Sequence, residues 1–230
     1  KLEEGGNAAD IWRSAGGEAS LADEGGVAGE RIALRRLDIG SIGAGDGSIA
    51  RADASGTFQV GPESAGAVPG PACYGNGGTL ATVTDANLLL GYLDADNFLG
   101  GKRKLDKAAS EAAADRIAAT LKLSRDETAA GIYRLINLKM ADGIRLMTLR
   151  RGVDPRRFAL LSFGGAAGLH AVEVARELEI PRVIVPTVAS VLSAWGMLAT
   201  DLRYELSRTH IGDRAIVDDA AMRSVFGELE

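Results

Sequence analysis

Residues 43–48 and 61–87 hold so many turn-forming residues that they read as a loop system with little room for ordinary helix or strand. Gly43-Ala44-Gly45-Asp46-Gly47-Ser48 is followed by Gly61-Pro62-Glu63-Ser64-Ala65-Gly66-Ala67 and by Pro69-Gly70-Pro71-Ala72-Cys73-Tyr74-Gly75. The run closes on Thr82-Val83-Thr84-Asp85-Ala86-Asn87. Glycine tolerates positive φ and lets other groups approach the backbone, while proline fixes φ and removes a donor. Free amides in such a loop are well placed to wrap an anion. Ser48, Thr82, Thr84 and Asp85 add hydroxyl and carboxylate groups. The same pattern also fits a glycine-rich surface loop with no ligand.

Regular structure is expected on both sides of this loop system. Residues 5–60 read as β-rich, with a hairpin over Ala50–Val60 that turns at Ala54 to Gly56. Leu105 to Lys122 is helical, with Ile117 and Leu121 on its apolar side. Ser124 and Glu127 form a capping box that starts a helix running to about Arg150. Its apolar face carries Ile132, Leu135, Ile136, Met140, Ile144 and Met147, and Arg150-Arg151 suit the negative end of its dipole. Phe158–Phe163 is a continuous apolar run, predicted as a strand covered on both faces. A helix over about Leu169–Leu178, a strand at Arg182–Val185, a helix at Val188–Leu198 and a strand at Arg203–His210 follow. Ala220–Glu230 reads as a last amphipathic helix. Alternation of strand and helix predicts an α/β unit with partly parallel pairing. Three segments result: 1–100, glycine-rich and β-rich; 101–152, helical; 153–230, α/β.

Two further glycine corners could carry chemistry. Phe163-Gly164-Gly165-Ala166-Ala167-Gly168-Leu169-His170 lies where a strand gives way to a helix, a junction that sets backbone N–H groups at the strand's carboxyl edge. A tight turn with close packing and no ligand is the lesser alternative from that junction alone. His170, at the helix start, is expected to pack and hydrogen-bond. Gly5-Gly6-Asn7-Ala8-Ala9-Asp10 is the other corner, where Asp10 is a candidate Mg²⁺ ligand and a solvated turn is the alternative. Cys73 has neither His nor Cys near it at metal-ligand spacing and is read as a packing residue.

Composition removes several function classes. A net charge of -5 argues against an electrostatic nucleic-acid binder. One cysteine in 230 residues excludes an intrachain disulfide framework and points to a reducing, cytoplasmic compartment. No apolar run approaches the roughly 20 residues that span a bilayer. Lys1-Leu2-Glu3-Glu4 runs straight into glycine, and the last helix stops without a cap, so a piece of a longer polypeptide is expected.

Taken in this order, the glycine segments resemble the A-type subunit of the hydantoinase/oxoprolinase family. The matching segments are Ile42-Gly43-Ala44-Gly45 with Gly47-Ser48-Ile49-Ala50, Val60 to Ala67, Pro69 to Gly75, Thr82 to Leu88, and Phe163-Gly164-Gly165-Ala166 with Leu169-His170-Ala171. The resemblance implies an α/β, actin-like ATPase fold of the acetate kinase and chaperone ATPase type, with mixed sheets, flanking helices and ATP between two lobes. Gly5, Gly6, Asn7 and Asp10 then correspond to the second phosphate turn, with Asp10 on Mg²⁺. Gly43, Gly45, Gly47 and Ser48 correspond to a further phosphate-side turn, and Gly164, Gly165 and Ala166 to the adenosine side. Asp10 and Asp85 are the catalytic candidates. Asn7 stands where the family usually has Thr or Ser, Asp46 replaces a usual glycine, and Ala167-Gly168 replaces a common Gly-Pro.

The function so implied is ATP-dependent opening of a cyclic amide such as a hydantoin or 5-oxoproline. In that chemistry ATP phosphorylates the amide oxygen before water opens the ring. A B-type hydantoinase subunit or domain is the expected partner, with a homo-oligomer as a further possibility. The alternatives are an ATP-dependent ketone carboxylase subunit and a non-catalytic scaffold without a complete ATP site.

Overall fold

The computed structural model describes residues 9–15, 18–19, 21–22, 25–27, 30–32, 36–200 and 219–227. Its first part is a set of nested antiparallel ladders. Strand β1 (Ala9–Ile11) pairs with β2 (Gly40–Ile42), with Ala9 opposite Ile42 and Asp10 opposite Ser41. Leu21–Ala22 pairs with Arg36–Leu37, and Gly25–Val27 with Glu30–Ile32. Within the outgoing arm Ser14–Ala15 pairs with Glu18–Ala19. The β-rich reading of this region holds for the residues described.

Strands β3 (Ser48–Ala52) and β4 (Phe58–Ser64) form the predicted hairpin. Asp53 sets its turn, its Oδ1 accepting from the amides of Ser55 and Thr57, both at 2.9 Å. Register slips between Val60 and Ser64, where Gly61 takes φ +61. A Cβ at Gly61 would sit 3.0 Å from the Gly43 carbonyl oxygen, so glycine here lets the 43–48 turn lie close against β4.

Three helices cover this hairpin. Helix α1 (Val83–Leu89) starts at Thr82, which forms a capping box with Asp85. Helix α2 (Lys107–Leu121) starts at Asp106, whose carboxylate accepts from the Ala109 amide at 3.0 Å. Helix α3 (Arg125–Leu149) starts at the predicted Ser124–Glu127 capping box. The apolar stripe of α3 packs on the hairpin, and Ile132 and Ile136 join Val60, Val83 and Ala129 in the main core. Burial of each isoleucine contributes about 2–3 kcal/mol.

Downstream, β5 (Leu160–Leu161) and β6 (Val183–Ile184) pair in parallel on either side of helix α4 (Ala167–Glu177) in the chain. Val174, Ala175 and Leu178 pack with Ala141 of α3 in a second core. The predicted two-sided burial of the 158–163 strand is corrected here: Leu161, Phe163, Ile184 and Val185 are each more than 40% exposed. The ladder is two residues deep and two strands wide, so one side stays open among the described residues. The helix expected from Val188 begins as a single 3-10 turn, Ala189–Val191, and continues as α5 (Leu192–Ala199).

The chain packs as two units, residues 1–192 and 193–230. The second contains most of α5 and helix α6 (Asp219–Gly227), which matches the predicted terminal helix. The strand predicted at 203–210 lies outside the described residues. Among those residues no helix is long and apolar enough to cross a membrane.

Candidate functional site

Asp85 sits in the first turn of α1 with no exposed surface. Its Oδ1 accepts from the Cys73 amide at 2.8 Å and the Ser110 hydroxyl at 2.6 Å. Its Oδ2 accepts from the amides of Ala72 (3.1 Å) and Thr82 (2.9 Å) and the Thr82 hydroxyl (2.8 Å). A carboxylate offers about four lone-pair positions. Five protein donors saturate them and leave none aimed at a substrate. The geometry gives Asp85 a structural task in place of the catalytic one: it ties the proline-rich loop, the start of α1 and α2 into one knot. Cys73 lies inside this knot, fully buried. Its thiol is pushed above its usual pKa, first by burial and second by the Asp85 charge.

The 43–48 turn is built around Ser48, whose Oγ accepts from the Gly45 amide at 3.0 Å. The Ser48 amide donates to the Gly45 carbonyl at 3.0 Å, and the Gly47 carbonyl accepts from Ala65 at 2.8 Å. Gly45, Gly47 and Ser48 are buried, while Gly43 is exposed. The amides of Gly45 and Ser48 are therefore used inside the turn and are not free to wrap an anion. The Asp46 carbonyl accepts from both the amide and the hydroxyl of Thr84, at 3.0 and 3.1 Å, which fixes the turn to α1.

The 163–170 junction reaches the same place from the other side. His170, 1% exposed, sets Nε2 3.5 Å from Asp46 Oδ1 and 3.3 Å from Asn87 Nδ2. Its Nδ1 lies 2.7 Å from Asn137 Oδ1, and its ring stacks on Tyr133 at 5.1 Å. The Tyr133 hydroxyl donates to the Leu169 carbonyl at 2.8 Å, pinning the start of α4 to α3. His170 therefore packs and hydrogen-bonds, as its position in the sequence implies.

Ahead of it, Gly164 has φ +100 and donates its amide to the Ala189 carbonyl. Gly165 is exposed, and neither glycine has any atom within 4 Å of where a Cβ would stand. No side chain caps α4 at Ala166; the Leu169 amide donates to the Ala166 carbonyl at 2.9 Å, which leaves the amides of Ala167 and Gly168 at the helix's positive end.

The third glycine corner is represented by Ala9 and Asp10, because Gly5, Gly6 and Asn7 lie outside the described residues. Asp10 is exposed on β1 and accepts from the Ser41 hydroxyl across the ladder. That ladder feeds the 43–48 turn directly. Asn87, Asn137 and Tyr133 were not singled out as site residues by the sequence. The available signal for Asn137 was an asparagine beside the apolar stripe of a long helix, where its helix propensity is poor.

Comparison with known proteins gives the family. The model of the family described as hydantoinase/oxoprolinase matches residues 1–206, and the chain belongs to that family. It is 45% identical over 205 residues to the caprolactamase subunit alpha of Pseudomonas jessenii, covering 89% of this chain and 30% of that protein. It is 41% identical over 212 residues to a 5-oxoprolinase of Pestalotiopsis fici, covering 87% of this chain and 16% of the relative. A nucleotide-free structure of acetone carboxylase superposes with a TM-score of 0.86 at 32% identity, covering 99% of this chain and 33% of that one. The chain thus spans about a third or less of the length of the relatives it matches. Its own fold is mixed α/β, as expected.

Proposed function

We propose that this chain is part of an ATP-dependent enzyme that opens a cyclic amide of the lactam, hydantoin or 5-oxoproline type. The observation that carries the reading is the meeting of two sequence-distant glycine corners, 43–48 and 163–170, through Asp46 and His170 at 3.5 Å. Relatives that carry this family's sequence include an ATP-dependent caprolactamase and a 5-oxoprolinase, which supports a nucleotide and a cyclic amide as the two ligands. An actin-like ATPase arrangement agrees with the reading.

The residues fit a polyphosphate at one end. The uncapped start of α4 and the turn at Gly165 and Ala166 present amides and the positive helix end to an anion, while Gly164 shapes the turn with its own amide spent on the Ala189 carbonyl. Asp10 would hold Mg²⁺ by one carboxylate, with water completing the shell. Bound ATP would supply the phosphoryl group that turns the amide oxygen into a leaving group. The chain's own task is placement. Ser48 and Thr84 fix the 43–48 turn, Asp85 fixes the loop behind it, and Tyr133 fixes the start of α4. A B-type subunit would supply the hydrolytic half.

The test is ADP release from MgATP, measured with caprolactam, hydantoin and 5-oxoproline, and separately with small ketones plus bicarbonate. Release that requires a cyclic amide supports the proposal. Release only with ketone and bicarbonate assigns the chain to the carboxylase branch, which the acetone carboxylase likeness supports. No ADP, together with no calorimetric heat at millimolar MgATP, leaves the scaffold reading, which the carboxylate of Asp46 in a phosphate-side turn favours.

A further inference from the structure

Helix α4 begins with no side chain capping its first amides. A first turn left in that state frays unless groups outside the helix hold it. Here side chains of two other helices do so. The Tyr133 hydroxyl of α3 donates to the Leu169 carbonyl at 2.8 Å. The next residue, His170, has a partner at each ring nitrogen. Asn137 Oδ1 of α3 lies 2.7 Å from Nδ1, and Asn87 Nδ2 of α1 lies 3.3 Å from Nε2. The Tyr133 ring also meets both Tyr92 and His170, with centroids 5.1 Å apart in each pair.

Asn87 is the most informative of these residues. It has no exposed surface, and its Oδ1 has no hydrogen-bond partner. A buried amide with one end unmet costs stability, so packing alone is a poor reason to keep an asparagine there. Its other end is spent on His170. Thr84, three positions earlier on α1, gives its amide and its hydroxyl to the Asp46 carbonyl. Residues three apart are neighbours on one side of a helix. A single side of α1 thus holds the 43–48 turn at Thr84 and the start of α4 at Asn87.

We propose that Asn87, Asn137 and Tyr133 are positioning residues that, in place of a cap, aim the amides of Ala167 and Gly168 at the anionic part of the nucleotide. They act through Leu169 and His170, which follow those two residues directly, so fixing the second pair fixes the first. A turn held in place before the anion arrives need not be ordered by it, and the affinity gained is the ordering cost avoided. The aim at a nucleotide rests on the nucleotide reading given above, whereas the holding of the helix start does not.

The experiment compares the full chain with Tyr133→Phe and Asn87→Ala. The first keeps the ring in its stack and removes only the hydroxyl; the second reaches the same turn through His170. Hydrogen exchange without nucleotide tests the holding. Ala171 and Val172 carry the first amides that α4 bonds back to its own opening turn. Their exchange is expected to quicken roughly tenfold in either variant, while amides of α3 around Ile136 keep their protection. Unchanged exchange at Ala171 and Val172 overturns the proposal. An equal rise in both helices also overturns it, because that marks a general loss of packing. MgATP calorimetry tests the aim. Each variant is expected to bind about fivefold more weakly, since the anion must then order the turn itself. Equal affinity in wild type and variants overturns the assignment. Absence of MgATP binding in the wild-type chain overturns the nucleotide reading and the aim with it, while exchange still decides whether α1 and α3 hold the helix start.

Discussion

Around Asp85 five protein donors meet two carboxylate oxygens. Around His170 two buried oxygens have no donor. Both clusters adjoin helix α1, and both bind segments far apart in the chain. In the first, every polar group is spent on holding the proline-rich loop, α1 and α2 in one geometry. In the second, capacity is left over, and beside it the turn at Gly165 is exposed. A satisfied buried network builds structure, whereas an incompletely satisfied one holds strain that a proton or a ligand can relieve. The difference says where substitutions should cost stability and where they should cost function.

The largest effect belongs to the knot. Asp85→Ala strands the amides of Ala72, Cys73 and Thr82 and the hydroxyls of Thr82 and Ser110 inside the core. The expected loss is on the order of 3–5 kcal/mol, measured by chemical denaturation. Cys73 provides a second reading of the same event, because it is the chain's one cysteine. Buried and with its thiol held protonated, it should resist thiol reagents in the native chain and react on unfolding. In Asp85→Ala it should react without denaturant. Ready labelling of the native wild-type chain would break the contrast between the two clusters.

Asn137→Ala probes the junction in the same manner. It leaves His170 Nδ1 without its 2.7 Å partner, for an expected cost of about 1–3 kcal/mol. A cost equal to that of Asp85→Ala would mean that the junction is as much a structural knot as the other cluster.

Local signals carried the sequence reading furthest. The Ser124–Glu127 box and the stripe through Ile132 and Ile136 placed α3 to within a residue or two, because capping and periodicity act within a few turns of chain. The hairpin over Ala50–Val60 was equally visible through its turn. Whether a polar group is already spent was not visible. Asp85 and Ser48 look like free ligands in a glycine-rich string, and only packing shows that the first is saturated by residues up to 25 positions away and that the second is engaged by its own turn. The meeting of Asp46 with His170 was hidden for the same reason, since it spans two segments that no local rule connects.

The smallest stability effects are expected at the open turn, where they separate the two regions most cleanly. Gly164 has φ +100, so Gly164→Ala strains the backbone by about 1–2 kcal/mol even though space is available. Gly165 has no such backbone demand and no atom within 4 Å of a would-be Cβ. Gly165→Ala should therefore leave the unfolding free energy within about 0.5 kcal/mol of wild type. If amides of this turn approach a phosphate or ribose, the added methyl group stands where the ligand must come close. MgATP affinity should then fall several-fold while the melting temperature stays put. An unchanged affinity in a chain that binds MgATP would move the nucleotide off the start of α4. A large loss of stability would show that the turn is packed after all, and the contrast with the Asp85 knot would fail at the point where it is drawn most sharply.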